Sequence, residues 1–187
     1  MDAELLSPRR AVRVQAGMTT FIRVRTPVGE LVLTATDAGL TGIYFPTSRH
    51  GPPPLESADW VEDDGGGPAS AILARARRQL EEYFAGRRTT FDVPLAATGT
   101  AFEQRVWAAL RAIPYGTTTS YGVLARQLGD PRATRAVGAA NGKNPIPIIV
   151  PCHRVVGARG ELTGFGGGID RKRWLLEHEG ALMPLGG

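Results

Sequence analysis

The sequence predicts an α/β (α+β) protein in two parts: an N-terminal half built on a three-strand antiparallel sheet, then a helical C-terminal half carrying a helix-turn-helix. Three observations predict it. Apolar and polar residues alternate with period two over residues 22–26, and two further runs, 31–36 and 40–45, follow across the turns Pro27-Val28-Gly29 and Asp37-Ala38-Gly39. Beyond residue 96 the apolar spacing becomes that of helices. Two of those helical patterns are parted only by Gly129-Asp130-Pro131, one tight turn. With 187 residues, 42% of them hydrophobic and 21% charged, the chain can bury a core, which excludes fibrous, collagenous and fully disordered classes.

Residues 1–19 show no clear period, contain Pro8, Arg9 and Arg10, and read as a flexible tail. The N-terminal domain is expected over 20–95. Ile22, Val24 and Thr26 alternate with Arg23 and Arg25, Pro27-Val28-Gly29 turns, residues 31–36 form a second strand, and Asp37-Ala38-Gly39 turns into a third over 40–45. Residues 46–68 hold Pro52, Pro53 and Pro54, an acidic stretch and Gly65-Gly66-Gly67, so they read as a mobile loop. A helix is expected over 70–84, with Ile72, Ala76, Leu80 and Phe84 on its apolar face and Gly86 as its stop. Phe91-Asp92-Val93-Pro94-Leu95 is a short extended piece before a boundary near 96–99.

The C-terminal domain is expected over 96–187. Thr100-Ala101-Phe102-Glu103 is a capping-box pattern, and Phe102, Val106, Leu110 and Ile113 line the buried stripe of the helix it starts. Ser120 begins a second helix, to about Leu128. Asp130 as N-cap and Pro131 at the first helical position begin a third, over about 132–140. In that third helix Arg132 and Arg135 share a face, while Ala133, Ala136, Gly138, Ala139 and Ala140 keep it slim enough to approach a duplex. The same alanines equally suit tight packing against a neighbouring helix. Charge leans the same way as the arginines. Residues 1–95 carry 11 basic and 12 acidic side chains, whereas 96–187 carry 11 basic and 6 acidic. A basic C-terminal half suits a polyanionic partner. The basic residues are nearly all arginine; Lys143 and Lys172 are the two lysines.

Asn141-Gly142-Lys143-Asn144 reads as a helix break, and residues 145–151 as a rigid, apolar, extended segment interrupted by Pro145 and Pro147. It delivers the only cysteine, Cys152, directly beside His153 and Arg154. A thiolate is the nucleophile, and a histidine base can generate it near neutral pH. On a strand the two side chains would face opposite ways, so they cooperate only if the chain turns there or a water bridges them. His153 needs an acid to orient it, and Glu177 and Glu179 are the candidates. Two other uses of these residues were weighed. A zinc site built from Cys152, His153, His178 and a glutamate lacks ligand spacing, and a cysteine peptidase lacks its cysteine signature.

Pro151-Cys152-His153-Arg154-Val155, preceded by Arg135-Ala136-Val137-Gly138-Ala139-Ala140-Asn141 and Asn144-Pro145, resembles the O6-alkylguanine-DNA alkyltransferases. The likeness runs from Thr26-Pro27-Val28-Gly29 to His178-Glu179-Gly180 and is strongest over 102–180. It implies a ribonuclease-H-like N-terminal domain, a winged helix-turn-helix C-terminal domain and a single-turnover, irreversible reaction. In that reaction an alkyl group moves from O6 of a flipped guanine, or from O4 of thymine, to the protein's cysteine.

By position, the resemblance makes Cys152 the acceptor, His153 a water-mediated base and Glu179 its orienter. Tyr121 becomes the donor to guanine N3, Arg135 the finger entering the duplex, and Asn144 a hinge. Thr134, Arg132 and Ala136 join Arg135 and Tyr121 at the DNA. Val155, Phe165 and Gly166 join Tyr121 in the substrate pocket, Val155 through its carbonyl. Three departures stand out: Phe165 replaces the usual tyrosine, the zinc cysteines of some relatives' N-terminal domains are missing, and so is a second acceptor domain.

The expected partner is double-stranded DNA containing O6-alkylguanine, met by a monomer, with cooperative assembly on DNA left open. No cofactor and no metal are expected, since Gly164-Phe165-Gly166-Gly167-Gly168 has the wrong spacing for a phosphate loop. Lacking a secretory pattern or an apolar run of membrane length, the chain is expected to be cytoplasmic and away from membranes. The same fold without an acceptor cysteine would be a sensor of alkylated DNA; Cys152 argues for the transferase.

Overall fold

In the computed structural model, which describes residues 18–45 and 59–183, the first half is a sheet covered by one helix. Strands β1 (Thr19–Thr26), β2 (Gly29–Thr36) and β3 (Gly39–Tyr44) form the expected antiparallel meander, Ile22 opposite Leu33 and Leu33 opposite Ile43. A fourth strand, β4 (Trp60–Glu62), lies parallel to β1, giving the order β3-β2-β1-β4. The expectation of a loop over the whole of 46–68 is corrected here. Trp60 packs its ring on Phe21 and Tyr44, at centroid distances of 6.4 and 5.6 Å, and Arg23 pairs with Glu62 at 3.1 Å. Aromatic cross-strand contacts hold a strand that composition alone reads as loop. The rest of that loop, 46–58, and the tail up to residue 17 lie outside the described residues.

Helix α1 (Pro68–Phe84) covers the sheet, starting two residues earlier than expected because proline suits a first helical turn. Its buried stripe is Ala69, Leu73, Ala76, Leu80 and Tyr83. Ala76 and Leu80 are buried as expected, whereas Ile72 and Phe84 at the two ends are only half-buried, their places in the core taken by Leu73 and Tyr83. The sequence has apolar residues on both sides of the true centre line. Edge strand β3 continues into the chain beyond α1, where Leu40 donates to the Pro94 carbonyl and Ala96 to the Leu40 carbonyl, both at 2.8 Å. Gly39 is needed at this join, since a Cβ there would come within 2.9 Å of the Pro94 and Leu95 backbone.

The second half opens with α2 (Ala101–Arg111), whose Thr100–Glu103 capping box is complete in both directions. Val106 and Leu110 are buried as expected, joined by Trp107, whose indole donates to the Ala140 carbonyl at 2.9 Å. Next come β5 (Thr119–Ser120), α3 (Tyr121–Gln127) capped by Ser120, a 3-10 turn (Pro131–Ala133) capped by Asp130, and α4 (Thr134–Gly142). These form the helix-turn-helix. A short strand β6 (Val155–Val156) pairs parallel with β5, and α5 (Ile169–His178) closes the fold.

Two local expectations are corrected in this half. Helix α4 does not break at Asn141 but runs on through Gly142. Residues 145–151 are not extended: the Val150 amide returns to the Ile146 carbonyl at 2.9 Å, and Ile148 takes φ 75°. A β-branched residue in the left-handed region is strained backbone, held here by the burial of Ile146, Ile148 and Val150.

Candidate active site

The segment carrying Cys152 is fixed from both sides. The Ile43 amide of β3 donates to the Pro145 carbonyl at 2.8 Å, tying it to the sheet edge. Asn144 clamps it from within: its Oδ1 accepts from the Ile146 amide at 3.0 Å and its Nδ2 donates to the Val150 carbonyl at 2.8 Å. The chain then coils into a 3-10 turn, Cys152–Arg154. At three residues per turn, neighbouring side chains diverge by about 120° rather than 180°. The turn that cooperation between Cys152 and His153 requires is therefore present.

His153 is fully buried, and its Nε2 lies 2.8 Å from Glu179 Oε1. Glu179, just past the end of α5, also accepts from Arg154 Nε at 2.8 Å, Arg154 Nη2 at 3.0 Å and the Tyr83 hydroxyl at 2.8 Å. Arg154 Nη1 is taken by the Ile113 carbonyl at the end of α2, at 2.7 Å. Burial alone would raise the Glu179 carboxyl, but the hydrogen bonds and charges of His153 and Arg154 outweigh it and hold the group down at about 2. An ionised carboxylate only accepts, so the imidazole proton sits on Nε2 and the lone pair on Nδ1. Nδ1 is buried and has no partner among the described residues.

The Cys152 thiol is pushed up to about 11 by burial, with Asn144 and the charge of Lys172 partly opposing the shift. At rest it is a neutral thiol, protected from stray electrophiles. Burial depresses His153, against the pull of Glu179, which favours the neutral imidazole. Lys172 is fully buried, its ammonium bonded to the Val155 and Thr163 carbonyls, and desolvation lowers it to about 8.

A cavity of about 210 Å³ opens on Cys152, walled by the end of β3 through Phe45, residues 141–145 and the loop carrying Phe165 and Gly166. Phe45 and Phe165 meet edge to face at 5.8 Å. A neighbouring cleft shares Gly142, Phe165 and Gly166 with this cavity and extends to Gly138 and Gly164. Tyr121 stands at that cleft: its hydroxyl donates to the Thr163 carbonyl at 3.2 Å, and a Cβ on Gly164 would come within 3.0 Å of it. Val155 is buried beneath the site and does not line the cavity.

Arg132 in the 3-10 turn and Thr134, Arg135 and Ala136 on α4 are all exposed. Arg132 lies 3.6 Å from Asp130, and Thr134 bonds back to the Pro131 carbonyl at 3.2 Å. Glu177 stays outside the network, and His178 bonds the Tyr83 carbonyl and stacks on Trp174 with centroids 4.9 Å apart. No group of three side chains suited to hold a metal ion occurs among the described residues.

Arg154, Tyr83, Lys172 and Asn141 join the site without a role that the sequence alone assigns. Arg154 lies inside the motif and was open to notice. Lys172 carried a faint signal, a lysine kept in an arginine-biased chain. Tyr83, 96 residues from Glu179, carried none.

A helix-turn-helix beside a lone buried thiol, with an acid-oriented imidazole next in sequence, defines a class of DNA-facing protein that reacts through one sulfur. Comparison with known proteins specifies it. The 6-O-methylguanine DNA methyltransferase ribonuclease-like domain matches residues 20–97, and the DNA binding domain of the same family matches 101–181. The methylated-DNA--protein-cysteine methyltransferase of Mycobacterium bovis is 48% identical over 89% of this chain and 96% of its own. That of Methanosarcina acetivorans is 47% identical over 83% and 95%. The crystal structure of Mycobacterium tuberculosis O6-methylguanine methyltransferase superposes with a TM-score of 0.77 at 48% identity, covering 90% of this chain and 97% of that one. The Mycobacterium tuberculosis protein in complex with DNA gives 0.75 at 48% identity, covering 88% and 93%. The chain belongs to the 6-O-methylguanine DNA methyltransferase family.

Proposed function

We infer that this protein repairs DNA by direct reversal, taking the alkyl group from O6 of guanine onto its own Cys152, once per molecule. One observation carries the reading. The family's reaction needs a cysteine acceptor, the chain has a single cysteine, and that cysteine opens on a cavity beside the buried His153–Glu179 pair.

The residues divide the work as follows. His153 Nδ1 takes the thiol proton through a water, while Glu179 holds the ring and offsets the imidazolium charge that forms. Sγ then attacks the alkyl carbon in line, the carbon–O6 bond breaks, and guanine leaves with the electron pair and gains a proton. Tyr121 turns its hydroxyl from Thr163 to guanine N3 and stabilises the departing base. Phe165 supplies a stacking face and Gly166 lets the base approach the backbone. A resting thiol near 11 suits a reagent that must wait for its substrate, because the thiolate appears only as the base removes the proton. The thioether is permanent, with no second base poised to break it.

O6 lies inside a base pair, so the nucleotide must leave the stack. Arg135, exposed and without a bonding partner among the described residues, fills the gap, with Arg132, Thr134 and Ala136 along the duplex and Asn144 as the hinge joining α4 to the acceptor segment. No helix among the described residues is long and apolar enough to cross a membrane. We place the protein in the cytoplasm.

The test is intact and peptide mass after mixing with duplex DNA carrying one O6-methylguanine. One CH2 unit gained on the peptide containing Cys152, in step with restored guanine, is expected. Binding without mass gain would instead favour a sensor of alkylated DNA. Arg135→Ala should slow transfer from duplex DNA at least tenfold while changing transfer from single-stranded DNA little. Equal rates on both substrates in the variant and the parent would remove the finger assignment.

A further inference from the structure

The acceptor cavity has one unexplained wall. Asn141, in the last turn of α4, lines it and is only 2% exposed, yet neither Oδ1 nor Nδ2 of its side chain has a hydrogen-bond partner among the described residues. Its polar neighbours are satisfied. Asn144 uses both ends of its amide, and Lys143 reaches back to Glu103 Oε1 at 2.9 Å. A buried donor or acceptor left unpaired costs about 1–3 kcal/mol, and Asn141 leaves one of each. An alanine, like Ala139 and Ala140 before it, would remove that cost. No hydrogen bond holds the amide, so turning it to a polar group that enters the cavity breaks none.

The two adjoining spaces indicate which group that is. Tyr121 stands at the outer cleft, whereas Cys152 lines the inner cavity and not the outer cleft. With the base in the outer cleft, the substituent on O6 extends inward past Cys152 to Asn141. The inner walls are otherwise largely apolar, with Ile43, Phe45, Pro145, Pro147 and Phe165 among them. A methyl or longer alkyl chain meets these walls and leaves the amide unpaired. A primary hydroxyl presents one donor and one acceptor, the complement of Oδ1 and Nδ2.

We propose that Asn141 is a specificity residue that tunes the cavity to O6 substituents bearing a terminal hydroxyl, the 2-hydroxyethyl group being the simplest. This rests on the transferase reading above. The step itself is unchanged: Sγ bonds to the CH2 attached to O6, the carbon–O6 bond breaks, guanine keeps the electron pair and takes up a proton, and the hydroxyethyl group remains on sulfur.

The test compares single-turnover transfer from one duplex carrying O6-(2-hydroxyethyl)guanine, O6-propylguanine or O6-methylguanine. The first two differ little in size, and their rate ratio is independent of overall activity. The parent protein should favour hydroxyethyl over propyl by roughly tenfold, the effect of about one well-made hydrogen bond. Asn141→Leu should bring the ratio to one or below, and Asn141→Ala gives the same readout should the leucine variant fail to fold. Methyl transfer by the parent with a ratio of one or less overturns this inference alone, as does a ratio that survives both substitutions. Absence of methyl transfer by the parent overturns the transferase reading and this inference with it.

Discussion

Cys152→Ala should abolish alkyl transfer completely while leaving affinity for duplex DNA within about twofold. The chain has no second cysteine to take the group, so no residual rate is expected from elsewhere. The substitution removes one buried sulfur, and with it the contact from Asn144, but the turn keeps its backbone hydrogen bonds and the two Asn144 bonds to Ile146 and Val150. The cavity grows by about one atom, a cost at the low end of large-to-small core substitutions. The exposed face formed by Arg132 of the 3-10 turn and Arg135 of α4 is untouched. Electrophoretic mobility shift with damaged duplex, run beside a guanine-restoration assay, reads both halves at once. Retained transfer would move the acceptor off Cys152, and lost binding would mean that the thiol also supports the DNA-facing surface.

The second large effect is expected at Glu179. Its carboxylate is the one acid paired with Arg154 among the described residues and also anchors His153 and Tyr83, with its side chain fully buried. Glu179→Ala strands a buried guanidinium, and breaking one side of a buried pair costs about 3–5 kcal/mol. In a chain of this size that is on the order of 10 °C in Tm. Glu179→Gln keeps the shape but loses the charge; it should fold better than the alanine variant and still transfer slowly, because the imidazolium that forms on His153 is no longer offset. Equal melting of the parent and the alanine variant would show that Arg154 finds another partner.

The pH dependence of stability has a definite sign. Glu179 titrates at about 2 in the fold against an ordinary 4.5, so its contribution is complete above about 4.5 and fades as pH falls toward 2. His153, depressed by burial, acts in the same direction at higher pH, since the unfolded chain takes up its proton first. Melting followed from pH 7 downward should show stability falling first near the ordinary histidine range and again below the ordinary carboxylate range. A shallower fall below pH 4.5 in Glu179→Gln than in the parent would confirm the assignment, the remaining slope belonging to Asp92 and Glu103, which hydrogen bonds from Arg75 and Lys143 also hold low.

Much of this was legible in the residues themselves. Thr100 and Glu103 announced the start of α2 because a capping box is a local, reciprocal device that needs no tertiary partner. Ser120, Asp130 and Pro131 marked the helix-turn-helix for the same reason. What failed was decided over long distances. Strand β4 exists because Trp60 meets Phe21 and Tyr44, which spacing along the chain cannot display. The two prolines before Cys152 suggested an extended segment, whereas the buried isoleucines and the Asn144 clamp fold it into a strained turn.

The site was half legible. Cys152 and His153 are neighbours in sequence, and Glu179 was one of two candidate acids. The choice between it and Glu177 was made by the resemblance, and in the fold it is Glu179 that reaches His153. Asn141 was passed over because a helix end accounts for an asparagine without any further role.

The wiring of Glu179 also bears on how the molecule comes into being. The carboxylate that sets the tautomer of His153 sits at residue 179 of 187, and it is steadied by a tyrosine laid down 96 residues earlier. Synthesis runs from the N-terminus, so the sulfur and its imidazole leave the ribosome well before the acid that equips them. A nascent chain that has not yet reached α5 carries the thiol and its imidazole without the acid that lies 26 residues on. Orientation of the imidazole is thereby tied to the docking of α5 rather than to the segment that bears the sulfur.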